Sequence, residues 1–184
     1  MNWDLPTFVD IDGLQYKIRN RCDYRVVLDT ISALKDNELD IKYRYQCALF
    51  IFYEDLAGCN NIDLAINEML KIINYGEEEH AEKNKPTLMD WEHDFKHLVP
   101  PISRVLGYDV RMPDKYTHWY SFLSGYMEIG GECTFATIVS IRNKRAKGKK
   151  LEKWEIDFLG ENRRMVDLPQ KLTSEEQELL NSEW

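Results

Sequence analysis

The chain has 184 residues, 43% hydrophobic and 30% charged, a globular rather than disordered composition that is long enough to bury one core, so a single domain over 1–184 is expected. Its net charge of -8 repels nucleic acid and anionic lipid on average, and its longest apolar run, Cys47 to Tyr53, falls far short of the ~18–20 residues of a membrane span. The opening "MNWDLPTFVD" lacks the basic-then-apolar order of a secretory signal, so cytoplasmic residence is expected.

Residues 7–18, "TFVDIDGLQYKI", read as a β-hairpin, because Asp12-Gly13 accepts the positive φ angles of a type I′ turn. The period then lengthens. Asp23 caps a helix over about 23–36 that carries Val26, Val27, Thr30, Ile31 and Leu34 on one face. The next, about 40–56, aligns Ile41, Tyr45, Ala48, Leu49, Phe52 and Leu56, while Phe50, Ile51 and Tyr53 fall off that stripe. A cleaner helix over about 62–75 aligns Ile62, Ala65, Ile66, Met69, Leu70 and Ile73 until Gly76 stops it.

Beyond the polar connector "EEEHAEKNKP", a helical stretch over about 88–106 is expected to break or restart at Pro100-Pro101, whose rings would strike the carbonyls of Lys96 and His97. Asp114 caps a helix of about 115–127 with Tyr116, Trp119, Tyr120, Leu123, Tyr126 and Met127 aligned; helices over about 133–146 and 151–165 follow. Thr173 and Glu176 form a capping box for a short C-terminal helix over about 174–182. The fold class is mainly α, with a small N-terminal hairpin packed on the helices. The four cysteines are widely spaced without a C-x-x-C, so they are expected as reduced thiols, with Cys47 and Cys133 as small core residues.

One stretch, "HDFKH", raises a chemical question. On a helix His93 and His97 are i, i+4 neighbours able to share a zinc ion, with Asp94 acting on bound water as in a zinc-dependent hydrolase. Asp94 is one methylene shorter than the glutamate such chemistry uses, and no third ligand is signposted among His80, His118 and Glu77 to Glu79. A solvated helix face is the better reading, with no catalytic, metal or cofactor residue assigned. The acidic run Glu77, Glu78, Glu79 and Glu82 lacks the spacing of a calcium loop and reads as a solvated connector.

By contrast, Arg142, Lys144, Arg145, Lys147, Lys149 and Lys150 place six cations within nine residues, enough to neutralise phosphates or to dock an acidic protein face. Base-stacking aromatics are not interleaved with them, which disfavours nucleic acid and leaves a salt-bridged or partner-docking loop. Among the aromatics of 116–126, Phe122 lies off the main stripe and is the candidate for a contact outside the core.

From residue 114 to 171 the chain resembles a family of small phage proteins, the gene-product-fifteen family. The resemblance rests on His118, Trp119, Tyr120 and Phe122; Glu128, Ile129 and Gly130; Glu132, Thr134 and Phe135; Ile141 and Arg142; Gly148 to Leu151; and Asn162, Val166, Asp167 and Leu168. It extends more loosely back through Asp90 to Val110, and the extra Gly131 and the Trp154 to Gly160 segment depart from it. The resemblance implies a non-enzymatic tail assembly chaperone, encoded beside the tape-measure gene of long-tailed phages. Such a protein binds the tape-measure protein, and in a wider scheme the tail-tube protein, in the host cytoplasm, and is not carried in the mature virion. On that implication Phe50, Ile51, Tyr53 and Phe122 contact the client, the cations of 142–150 steer its acidic stretches, and a homo-oligomer stays open. A nucleic-acid-binding accessory role for 142–150 is the alternative.

Overall fold

The structure is a computed structural model that describes residues 4–77 and 86–169. The chain is mainly helical with one antiparallel hairpin, as expected. The expected 174–182 helix, His80, Glu78, Glu79 and Glu82 lie outside the described residues. The chain divides into two compact units: one within Met1–Lys85 and His97–Gly130, the other within Pro86–Lys96 and Gly131–Trp184.

In the first unit, β1 (Phe8–Ile11) pairs with β2 (Leu14–Lys17), Val9 opposite Tyr16 and Ile11 opposite Leu14. Asp12 and Gly13 both take positive φ, as the turn requires. Val9, Ile11 and Tyr16 are buried, whereas Phe8 and Leu14 face outward. Three helices follow: α1 (Tyr24–Lys35), α2 (Ile41–Phe52) and α3 (Ile62–Ile73). Between β2 and α1 three successive residues, Asn20, Arg21 and Cys22, hold positive φ, a costly conformation for side chains of their size. Offsetting bonds surround them. The Tyr116 hydroxyl donates to the Arg21 carbonyl at 2.7 Å, the Trp119 amide to the Cys22 carbonyl at 2.8 Å, and Arg19 donates to the carbonyls of Phe50, Ile51 and Tyr53 at the end of α2.

α4 (Trp91–Leu106) begins in the second unit and ends in the first. It runs through Pro100 and Pro101 without the expected break. Each proline removes an amide donor, but Leu98, Val99, Pro101 and Ile102 are buried around them. The Gly125 position on α5 (Trp119–Met127) lets Ile102 Cγ2 and Leu106 Cγ come within 3.2 and 3.3 Å of where a Cβ would stand. Packing of this face outweighs the local penalty.

α5 starts at Trp119, four residues later than expected, and its cap is His118 rather than Asp114. This cap belongs to a reciprocal arrangement. Asp23 and His118 face each other in an isolated antiparallel bridge; the Tyr24 amide donates to the Thr117 carbonyl at 2.9 Å, and the Trp119 amide returns to Cys22. Asp23 Oδ1 accepts from the Arg25 amide and Oδ2 from the Thr117 amide, while His118 Nδ1 accepts from the Tyr120 amide. Two helix starts are thus closed in one buried bridge. Above it, the Tyr24 and Phe122 rings stack at 4.3 Å, and Trp119 Nε1 donates to the Ile73 carbonyl.

The second unit contains the start of α4, α6 (Thr134–Ala146), α7 (Lys153–Glu161) and the short α8 (Arg163–Val166). Ile138, Ile141 and Val166 form its buried centre, with Leu151, Phe158, Leu159 and Met165 packed on it. The single helix expected over 151–165 is divided at Asn162, which leaves helical geometry and whose side-chain amide donates to the Phe158 carbonyl.

The thiol expectations need correction. Cys47 is exposed on α2, and Cys133 is the half-buried cap of α6, its sulfur accepting from the Ala136 amide. Cys22 is the buried one, and burial pushes its thiol up to about 12.

Candidate functional site

The H-D-x-x-H stretch resolves into an ion pair. Asp90 accepts from the Glu92 and His93 amides and so starts α4; Asp94, one turn on, accepts from the Asp90 amide at 3.0 Å. Its carboxylate is fully buried and takes two further bonds from Arg142, Nη1 at 2.6 Å and Nη2 at 2.9 Å. Arg142 also donates to the carbonyls of Leu88, Met165 and Val166. All five N–H donors of the guanidinium are therefore used, inside the second unit. Asp94 is committed to Arg142 rather than poised beside a water. Among the described residues, no group of three or more His, Cys, Asp or Glu side chains could hold a metal ion.

The basic segment divides. Arg142 is buried, so its assignment to a partner surface is corrected: its charge is spent inside the fold. Lys144 reaches both oxygens of the buried Glu155 carboxylate at 2.8 Å, which raises the lysine and lowers the glutamate from their ordinary ranges; hydrogen bonding between them is the main cause. Arg145 pairs with Asp167, which Arg163 also contacts. Lys147, Lys149 and Lys150 remain exposed with no ion pair among the described residues. Half of the apparent cation cluster is thus internal bonding.

The apolar candidates divide as well. Tyr53 is 2% exposed and its hydroxyl donates to the Ala65 carbonyl at 2.8 Å; Phe122 is fully buried against Tyr24. Both are core residues, correcting their assignment to a contact surface. Off-stripe position on a helix does not imply exposure when a second element covers that side: Phe122 meets α1, and Tyr53 leaves α2 to bridge Ile18. Ile51 is half-buried. Phe50 is 78% exposed, its ring under the Arg19 guanidinium at 5.6 Å.

Phe50 has neighbours that the periodicity did not reveal. Tyr43, Cys47 and Phe50 are spaced i, i+4, i+7, and all three are exposed. Ile41, expected in the core, is also exposed, because the buried face of α2 begins only at Ala48 with Leu49 and Phe52. The first unit therefore presents a two-turn apolar stripe to solvent, on a helix whose last carbonyls Arg19 holds.

These features define a helical scaffold whose sequence hallmarks build caps and ion pairs: His118 closes α5, Phe122 stacks in the core, and Arg142 ties α4 to α6 and α8. The sequence profile of the family described as Bacteriophage Gp15 protein matches residues 1–168, so the chain belongs to that family and is a phage protein. No curated protein and no solved structure matches it. No helix among the described residues is long and apolar enough to cross a membrane.

Proposed function

We propose that this phage protein is a tail assembly chaperone that binds the tape-measure protein and keeps it soluble until the tail tube forms around it. The observation that carries this reading, beside family membership, is the exposed Tyr43-Cys47-Phe50 stripe. A long helical client has apolar faces without partners before assembly and would aggregate through them. A stripe with i, i+4, i+7 spacing covers such a face by helix-to-helix packing, and a net charge of -8 keeps the complex dispersed. The role is non-enzymatic: it needs a surface and no catalytic group. It is exercised in the host cytoplasm, and the protein departs before the virion is complete.

The test is co-expression with the tape-measure protein of the same genome, scoring how much of the latter is soluble and co-purifies. Tyr43→Ser with Phe50→Asp should abolish both while leaving the fold intact. Retained solubilisation by that variant, or an insoluble client with the wild type, refutes the reading.

A further inference from the structure

We propose that copies of this protein associate head to tail, the basic α6–α7 turn of one copy docking on an acidic patch formed by the hairpin and the α2–α3 connection of the next.

The basic side is built as a fixed surface. Gly148 takes positive φ, its amide donates to the Arg145 carbonyl, and the Lys149 amide donates to Lys144 at 2.8 Å, so the turn that carries Lys147, Lys149 and Lys150 is closed by backbone bonds. Lys153 adds a fourth exposed cation at the start of α7. Beside them Trp154 and Ile156 are each more than half exposed. The neighbouring Glu152 is already engaged, by Lys144 at 3.8 Å and by the Trp154 indole at 2.8 Å.

The acidic side lies in the first unit. Asp10, Asp12, Glu54, Asp55 and Asp63 are all exposed and make no ion pair among the described residues. They converge because the Glu54 amide bonds the Lys17 carbonyl at 3.0 Å and the Asn61 side chain reaches Asp12 at 3.4 Å, drawing the α2–α3 connection to the hairpin. Lys17, whose carbonyl bonds the Glu54 amide, and Arg19, which donates to the Tyr53 carbonyl, are cations at the margin of this patch. Leu14 and Ile62 supply exposed apolar surface at the same place.

Charge complementarity selects the occupant. The basic turn needs an anionic face with some apolar area, and the chain itself carries one, whereas its overall -8 repels nucleic acid. Because the two patches are different surfaces, the contact is heterologous and propagates into a ring or a filament rather than stopping at a two-fold dimer.

Sedimentation velocity of the purified full chain at about 0.01 M and about 1 M salt, where the Debye length falls from ~30 to ~3 Å, tests this. Association is expected at low salt, weakening at least about tenfold at high salt. K147E/K149E/K150E and E54K/D63K should each be monomeric, with wild-type far-UV circular dichroism, and an equimolar mixture of the two should associate again. A second measurement does not depend on variants: carbodiimide treatment of mixed isotope-labelled and unlabelled wild type should give crosslinks between Lys149 or Lys150 of one copy and Glu54 or Asp63 of another. A monomeric wild type at low salt, association that nuclease abolishes, persistence in either folded variant, or crosslinks only within one copy would each overturn the proposal.

Discussion

Replacing Arg142 by methionine is the sharpest test of the second unit. The substitution keeps most of the apolar stem but removes five hydrogen bonds, leaving the buried Asp94 carboxylate and the carbonyls of Leu88, Met165 and Val166 to find other partners. Removing one partner of a buried pair costs about 3–5 kcal/mol, and each orphaned carbonyl adds about 1 kcal/mol where water cannot enter. A loss of about 4 kcal/mol or more is expected. Asp94→Ala should cost a similar amount, since it strands the cation and frees the Asp90 amide. The double variant should cost less than the sum, because the mutual attraction is lost only once. The assay is amide exchange of α6 and α8: exchange limited by opening of these helices should quicken about a thousandfold, at ~1.4 kcal/mol per tenfold. Single variants within about 0.5 kcal/mol of the wild type, or strict additivity, would show that the pair carries no such load.

Acid should weaken the first unit through His118. Burial holds its imidazole below the ordinary value; the neutral form accepts at Nδ1 from the Tyr120 amide while Nε2 donates to the Pro6 carbonyl. The folded state therefore binds fewer protons than the unfolded chain, so stability present above about pH 6.5 falls as pH drops toward the lowered value, with a limiting slope of about 1.4 kcal/mol per unit, and His118→Asn, which keeps a cap acceptor, should flatten that part of a melting-temperature profile. Phe122→Ala should cost about 3–5 kcal/mol in urea unfolding, and Tyr53→Phe about 1 kcal/mol through the lost bond to Ala65. Phe50→Asp should move the same midpoint by less than about 0.5 kcal/mol. In thiol titration Cys47 should react at once, and Cys22 only on unfolding.

Local signals in the sequence located most elements. Asp12-Gly13 marks the hairpin, Asp23 the start of α1, and the apolar period the course of α3, since each acts within a few residues. The failures share a cause. Tyr53, Phe122, Cys22 and the unbroken proline helix depend on surfaces brought from far along the chain, which a helical wheel does not contain. Arg142 and Asp94 lie 48 residues apart, yet each left a trace. Arg142 falls on the apolar face with Phe135 and Ile138, and Asp94 precedes Phe95 and Leu98 on a face that is otherwise apolar. Opposite charges stranded singly on apolar faces are a signal for a buried pair. The exposed stripe on α2 left no comparable mark, because an apolar residue facing water looks in sequence like one facing a core.

The interleaving of the units fixes an order of events during synthesis. Asp23 must wait for Thr117, 94 residues later, before its bridge can close, and Asp94 is made 48 residues ahead of Arg142. On a ribosome adding residues from the N-terminus, the first unit is complete once Gly130 has emerged, while residues 86–96 still lack the rest of the second unit. A nascent chain stalled there would hold Asp94 without the arginine that pairs with it. The second unit cannot be cut out by a single truncation, because residues 97–130 of the first unit separate its two parts.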